Sequence, residues 1–247
     1  MKVELIDWQE NALDILLYTK NTRLRQEVTL HDIRNWSWNL KLEHLDYMKK
    51  TIQSSFEFIR YTFNIEGVSR NFTHQLVRTR KAAYAQESQR TVDVRDAFVL
   101  GPDIPEFDQA AGFAKGWYAR FIDEHDVPVQ DARNILPTGI ETSITMAVDL
   151  RELMHMAEVR LCTRTQGEYQ NVFREMRQRV LEVHPWLEGF IEVHCVKHGT
   201  CCFPNYTECP VQERVYVPTD GQKEFIKELW EETDHIANPV AQDGRTM

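Results

Sequence analysis

Across 247 residues there is no run of about 18 consecutive apolar side chains, so no membrane-spanning helix is expected. The opening stretch MKVELIDWQE has no basic segment leading into an apolar one. A secretion signal is therefore not expected, and a cytoplasmic location is. Positive charge is in deficit: 29 Lys and Arg stand against 38 Asp and Glu, a net charge of -9. That balance, with a pI near 5.5, argues against a protein that coats nucleic acid through a basic face. Five cysteines in a cytoplasmic chain are expected to stay reduced. The usual catalytic signatures are missing as well: no Walker phosphate loop, no GxGxxG, no HExxH and no GxSxG.

What is present is an ordinary globular composition, 42% hydrophobic and 27% charged, in a chain long enough to bury a substantial core. No repeat, low-complexity tract or linker divides it. Residues 8–19 predict a short helix with Leu13, Leu16 and Leu17 inward, and residues 41–52 a second through Leu42, Leu45, Met48 and Ile52. In IRYTFNIE the apolar residues Ile59, Tyr61, Phe63 and Ile65 alternate with polar ones, which predicts a strand with one buried face. Ser69 is placed to cap the next helix, which carries Phe72, Leu76 and Val77 and ends in the arginine segment. A helix over 106–124 carries Phe113, Trp117, Phe121 and Ile122. Ile144, Met146 and Val148 alternate as a second strand, running straight into a helix patterned by Leu150, Leu153, Met154, Ala157 and Leu161. Tyr169, Val172, Phe173, Met176 and Val180 form the stripe of a last helix. The expected class is mixed α/β (α+β), without the strand–helix repetition of a doubly wound sheet.

Against the acidic background, RTRKAAYAQESQR places Arg78, Arg80 and Arg90 within thirteen positions, and Arg133, Arg151 and Arg160 fall on other element ends. A guanidinium is permanently charged and forks two hydrogen bonds onto phosphate, so clustered arginines in an acidic chain point to a small anionic ligand. Arg151 and His155 lie four apart on the polar side of their helix, either facing one ligand together or forming a solvated face.

HQLVRTRKAAYAQESQR resembles the signature RHRxxSxNExSxR of the flavin-dependent thymidylate synthases, with Arg78, Arg80, Ser88 and Arg90 at matching spacing. ARNILP and VDLRELMHMAEVRLCTRTQGEY are similar to that family's ARxxLP and NxRxLxxFxxxRxxxxAQxEI, and IQSSFEF more distantly to HxxPxEH. The resemblance spans residues 52 to about 185. It implies a family domain over 1–190, a central sheet flanked by helices, with an irregular C-terminal extension over 191–247. It also implies a homotetramer with shared active sites, FAD between subunits, NADPH as reductant, methylenetetrahydrofolate as one-carbon donor and a pyrimidine nucleotide as substrate. Carried over by position, Gln75, Gln86, Ser88, Gln89, Arg90 and Arg133 would hold the nucleotide. Arg160 would lie against the pyrimidine, with Arg160 and Ser88 as the catalytic residues. Arg78, Thr79 and Arg80 would contact FAD, joined by Ser54, Asp149, Arg151 and His155.

The departures from the pattern cluster. Thr79 replaces a histidine, Ala83 a serine, Ala85 an asparagine and Gln86 a glutamate; Ile52 and Phe58 stand at the outlying histidines and Asp149 at an asparagine. Glutamine donates and accepts where a carboxylate only accepts. Three readings follow: methylation of dUMP to dTMP; hydroxymethylation, or methylation of dCMP or UMP, by a diverged relative; or a nucleotide-binding protein without catalysis. Outside the resemblance, HCVKHGTCCFPNYTECP packs Cys195, Cys201, Cys202 and Cys209 with His194 and His198. These are ligand types for a structural zinc or a set of reduced thiols, and the irregular spacing assigns no metal site.

Overall fold

Strand β1, Lys2–Trp8, opens the chain and is followed by helices α1 (Ala12–Arg23), α2 (Leu30–Arg34) and α3 (Trp38–Lys49). Then come β2 (Arg60–Ser69), α4 (Arg70–Leu76), β3 (Ala82–Gln86), α5 (Pro105–Asp123) and α6 (Val129–Ala132). Strand β4 (Glu141–Asp149) runs into α7 (Leu150–Arg160), α8 (Gly167–Val183) and the short α9 (His194–His198). This computed structural model describes residues 1–51, 53–203, 209 and 211. Ile52 and most of the expected 191–247 extension lie outside the described residues. Contacts divide the chain into a unit Met1–Glu192 and a second that starts at Val193.

The four strands form one antiparallel sheet in the order β1-β2-β4-β3. Alternation decides which face is buried. Tyr61, Phe63 and Ile65 of β2 and Ile144, Met146 and Val148 of β4 point into the core, while Arg60, Thr62, Asn64, Ser143 and Thr145 face the other way. Leu16 and Leu17 of α1, Leu153, Met154 and Ala157 of α7, and Val172, Phe173, Met176 and Val180 of α8 complete that core. β2 bulges between Ile65 and Val68, where Gly67 takes a positive φ of 67°, a conformation that disfavours any residue with a Cβ.

Several expectations need correction. The first eight residues are a strand, because Val3 and Leu5 pair with Ile65 and Phe63 and share their buried face. The first helix consequently starts at Ala12 rather than at residue 8. Residues 82–86, for which no element was expected, form edge strand β3 against β4. Leu42 is 37% exposed, since α3 turns only Leu45 and Met48 inward. α5 buries Ala111 and Tyr118 and leaves Phe113 70% exposed. Phe121 and Ile122 pack against a second buried cluster around Tyr118 and Ile140, and the Phe113, Trp117 and Phe121 rings follow one another along α5 with centroids 6.1 and 5.8 Å apart.

A polar pair sits inside the main core. Tyr61 Oη lies 2.8 Å from His184 Nδ1, and both residues are buried. Burial raises the Tyr61 phenol far above its ordinary range and lowers His184 below 6.5. The phenol thus keeps its proton and donates, and the imidazole stays neutral in the fold. The unfolded chain binds a proton at His184 more readily than the folded one. Stability attributable to this site is therefore complete above about 6.5 and is lost as pH falls from there towards the depressed folded value. His184→Asn keeps an acceptor for Tyr61 and does not titrate. Urea titrations at pH 7.5, 6.5 and 5.5 should show the wild-type free energy falling faster than the variant's; parallel curves would rule this linkage out.

Candidate active site

The register of β3 on β4 organises the predicted residues. Ala82 pairs with Val148 and Gln86 with Ile144, so the Arg78–Arg80 loop reaches the end of β4 where Asp149 begins α7. β2 begins at the same place, with Arg60 opposite Asp149, and the 3-10 turn Ser54–Phe58 immediately precedes it. Ser54, Arg78, Thr79, Arg80, Asp149 and Arg151 therefore gather at one end of the sheet. His155 follows one turn along the exposed side of α7.

Local bonds fix this end. Tyr84 Oη donates towards the carbonyls of Leu76 and Thr79, each at 2.9 Å, pinning the arginine loop to β3. Burial pushes that phenol up to about 12, so it remains a neutral donor. Asp149 caps α7 by accepting the Glu152 N–H at 2.8 Å. Arg151 pairs with Glu57, both half exposed, and Arg23 Nη1 donates to Ser54 Oγ at 3.4 Å. Arg78 and Arg80 are exposed and form no ion pair with the described residues.

The other end of β3 carries Ser88, Gln89 and Arg90 of the predicted nucleotide set. The Glu87 N–H donates to the Ser143 carbonyl at 3.0 Å, continuing the ladder, and the chain then turns through Ser88, whose Oγ accepts the Arg90 N–H at 3.4 Å. Gln89 is buried and, among the described residues, its Nε2 lacks a partner and exposed Arg90 has no ion pair. Arg133 precedes β4 and spends Nε on the Gln130 carbonyl at 3.0 Å. Gln75 Nε2 donates to Gln166 Oε1 at the start of α8. Arg160, the last residue of α7, sits over the Tyr169 ring at 4.3 Å. A five-residue strand spans roughly 17 Å, so one chain holds Arg78 and Arg80 apart from Ser88 and Arg90, whereas the Gln75 carbonyl accepts the Arg78 N–H at 3.2 Å and Arg160 and Thr79 both approach Tyr169. A cavity of about 550 Å³ beside α4 is lined by Asn71, Thr138, Gln166 and Glu168, among others, and by none of the predicted residues.

Three contributors escaped the sequence. Arg70 occupies the first turn of α4, the positive end of a helix. Burial lowers its pKa first, repulsion from Arg133 adds to this, and Glu87 opposes it. Two guanidinium groups near enough to repel each other are an arrangement that an anion relieves. A basic residue at that position was the available signal. Thr73 is fully buried and receives the Gln86 Nε2 donor at 2.8 Å, while its own hydroxyl donates to the Arg70 carbonyl at 3.0 Å. Tyr169 is the third. In the second unit, the His194 and His198 rings of α9 lie 4.4 Å apart, and Cys195, Cys201, Cys202 and Cys209 are half buried.

The Thr73 relay gives Gln86 a fixed orientation. A glutamate there cannot donate, and its lone pairs would meet an oxygen whose proton already serves Arg70. Gln86→Glu should therefore lower unfolding free energy at pH 7 by about 1 kcal/mol, read from denaturant midpoints, and most of that cost should vanish in a Thr73→Val background. An unchanged midpoint would contradict the relay.

The family model described as thymidylate synthase complementing protein matches residues 11–186. The flavin-dependent thymidylate synthase of Sulfolobus acidocaldarius is 31% identical over 207 residues, covering 80% of this chain and 79% of that one. Among solved structures, thymidylate synthase X of Helicobacter pylori with FAD and dUMP superposes with a TM-score of 0.66 at 17% identity, covering 80% of this chain and 100% of that one. The UMP/dUMP methylase PolB of Streptomyces cacaoi bound with 5-Br dUMP gives 0.63 at 18%, covering 78% and 97%. The extent of the family match and the identity to a named synthase agree with the mixed sheet-and-helix architecture described above: this chain belongs to the flavin-dependent thymidylate synthase family.

Proposed function

We propose that this chain transfers a one-carbon unit from methylenetetrahydrofolate to C5 of a pyrimidine nucleotide, converting dUMP to dTMP, with FAD as cofactor and NADPH as reductant. The observation that carries the reading is the placement of Arg78, Arg80 and Arg90, without carboxylate partners among the described residues, at the two ends of one strand in a chain of net charge -9. Unpaired guanidinium groups are what two phosphorylated ligands require.

The residues at the loop end fit a dinucleotide. Arg78 and Arg80 offer two forks for a pyrophosphate, and Ser54, Thr79 and Asp149 offer short polar groups beside them. Arg151 and His155 extend the same edge along α7. The Arg151–Glu57 pair is half exposed, the kind of contact a ligand exchanges at small cost. When bound, the flavin supplies the redox and carbon-transfer chemistry, for which no protein nucleophile is required.

At the opposite end, Ser88, Gln89, Arg90 and Arg133 would grip the nucleotide phosphate, reinforced by Arg70, while Gln75, Gln86 and Arg160 lie towards the base. Arg160 stabilises negative charge developing on the pyrimidine ring. With Arg78 and Arg80 separated from Ser88 and Arg90 along β3, a complete site is best formed by two chains, which supports a homotetramer with shared sites. The exposed Phe98 and Phe113 suit such contacts.

A second reading, hydroxymethylation or methylation of UMP or dCMP, draws on Gln86. With Nε2 committed to Thr73, its remaining oxygen is an uncharged acceptor, and Ala83 and Ala85 present no polar group. Base choice follows from such donor and acceptor patterns.

Purified protein should take up FAD stoichiometrically, with a shift of the flavin absorbance. By calorimetry on the loaded protein, Arg90→Ala should weaken dUMP binding by about 1.5–3 kcal/mol, the worth of a charge-assisted bond, with little change in melting temperature. No absorbance shift on titration would overturn the cofactor reading. Equal dUMP affinity in wild type and variant would overturn the phosphate assignment.

A further inference from the structure

We propose that Tyr169 is a positioning residue for Arg160, fixing its guanidinium for contact with the nucleotide base; this rests on the nucleotide reading above. Arg160 ends α7 and Tyr169 lies in the first turn of α8, so the pair bridges the turn between two helices that both pack on the sheet. The guanidinium carbon is 4.3 Å from the ring centroid, and among the described residues Arg160 has no carboxylate partner. The ring is therefore its principal restraint. An unpaired arginine at a helix end would otherwise sample many rotamers, each a loss on binding, and a cation seated over an aromatic face gives up that freedom in advance.

The platform is itself rigid. Tyr169 is fully buried, and Phe72 meets it edge-on at 4.9 Å with an interplanar angle of 88°. Phe72 belongs to α4, the helix that also carries Thr73 beneath Gln86. One aromatic stack thus ties Arg160 to the element that orients Gln86, the other side chain expected near the base. In TQGEY, Tyr169 stands at the isoleucine of the family pattern AQxEI, and an aliphatic side chain has no π face to offer. The Tyr169 hydroxyl is buried outside ideal hydrogen-bond geometry, with Thr79 and Arg160 as the polar groups nearest to it. The role assigned here belongs to the ring, and Tyr169→Phe separates it from that of the hydroxyl.

Calorimetric titration of FAD-loaded protein with dUMP tests this in five forms: wild type, Tyr169→Leu, Tyr169→Phe, Arg160→Ala and the double variant that combines Tyr169→Leu with Arg160→Ala. Tyr169→Leu should weaken dUMP roughly tenfold, Tyr169→Phe should restore affinity to within about twofold, and Tyr169→Leu should add almost nothing once Arg160→Ala is in place. FAD uptake should be equal in all five. Wild-type affinity in Tyr169→Leu would overturn the proposal. So would an equal loss with and without the Arg160→Ala change, or loss of FAD uptake, since either marks a purely structural role. Failure of the wild type itself to bind dUMP would sink the nucleotide reading and this role of Tyr169 with it.

Discussion

The pairing of β3 with β4 is the constraint on which the candidate site depends. Ala82 opposite Val148 and Gln86 opposite Ile144 set how far Arg80 stands from Ser88 and which end of β4 each approaches. The register is protected by burial, because Tyr84 shares its face with Met146 and packs on the core. A slip of one residue would turn Tyr84 to the open face and Ala83 and Ala85 inward. It would also break the Tyr84 hydroxyl bonds that hold the arginine loop. Core packing and ligand geometry are therefore one constraint seen from two faces of a short strand.

That strand is a poor one by composition, and it shows where local reading stops. Lys81-Ala82-Ala83 and Ala85-Gln86-Glu87 are helix formers, and the segment is extended only because an edge of β4 is open beside it. Strand β1 is similar: Lys2, Glu4 and Asp7 mask the pairing of Val3 and Leu5 with β2. By contrast, β2, β4, α7 and α8 announce themselves through periodicity, because each buries a full face of its own. Ser69 was legible as a cap because capping is local: it accepts the Phe72 N–H at 3.0 Å. Its second role, donating its hydroxyl and backbone N–H to Glu168, spans 99 residues and left no local trace.

The site divides in the same manner. Arg78, Arg80, Ser88 and Arg90 lie in one segment and were visible as an anomaly of charge. Arg70, Thr73 and Tyr169 work through contacts with residues far along the chain, so only the folded arrangement reveals them. Together they show how an acidic chain retains cationic sites. Arg70 is pressed by burial and by Arg133, Arg160 is restrained by a ring rather than neutralised by a carboxylate, and Arg90 is left open. Each arrangement keeps positive charge available instead of consuming it in an internal ion pair, at some expense in stability. Where ion pairs do form, as between Arg95 and Asp123 or Arg177 and Glu192, the arginines lie outside the predicted set, with the exception of Arg151 and its half-exposed partner Glu57.

The central claim is chemical, and product analysis addresses it most directly. FAD-loaded protein would be given NADPH and methylenetetrahydrofolate with dUMP, UMP and dCMP side by side, and the nucleotides read by mass spectrometry. The account predicts that dUMP gains the mass of one methylene, giving dTMP. A gain of CH2O, or preferential conversion of UMP or dCMP, would transfer the chain to the second reading. No product from any nucleotide, with flavin bound, would contradict the proposed reaction.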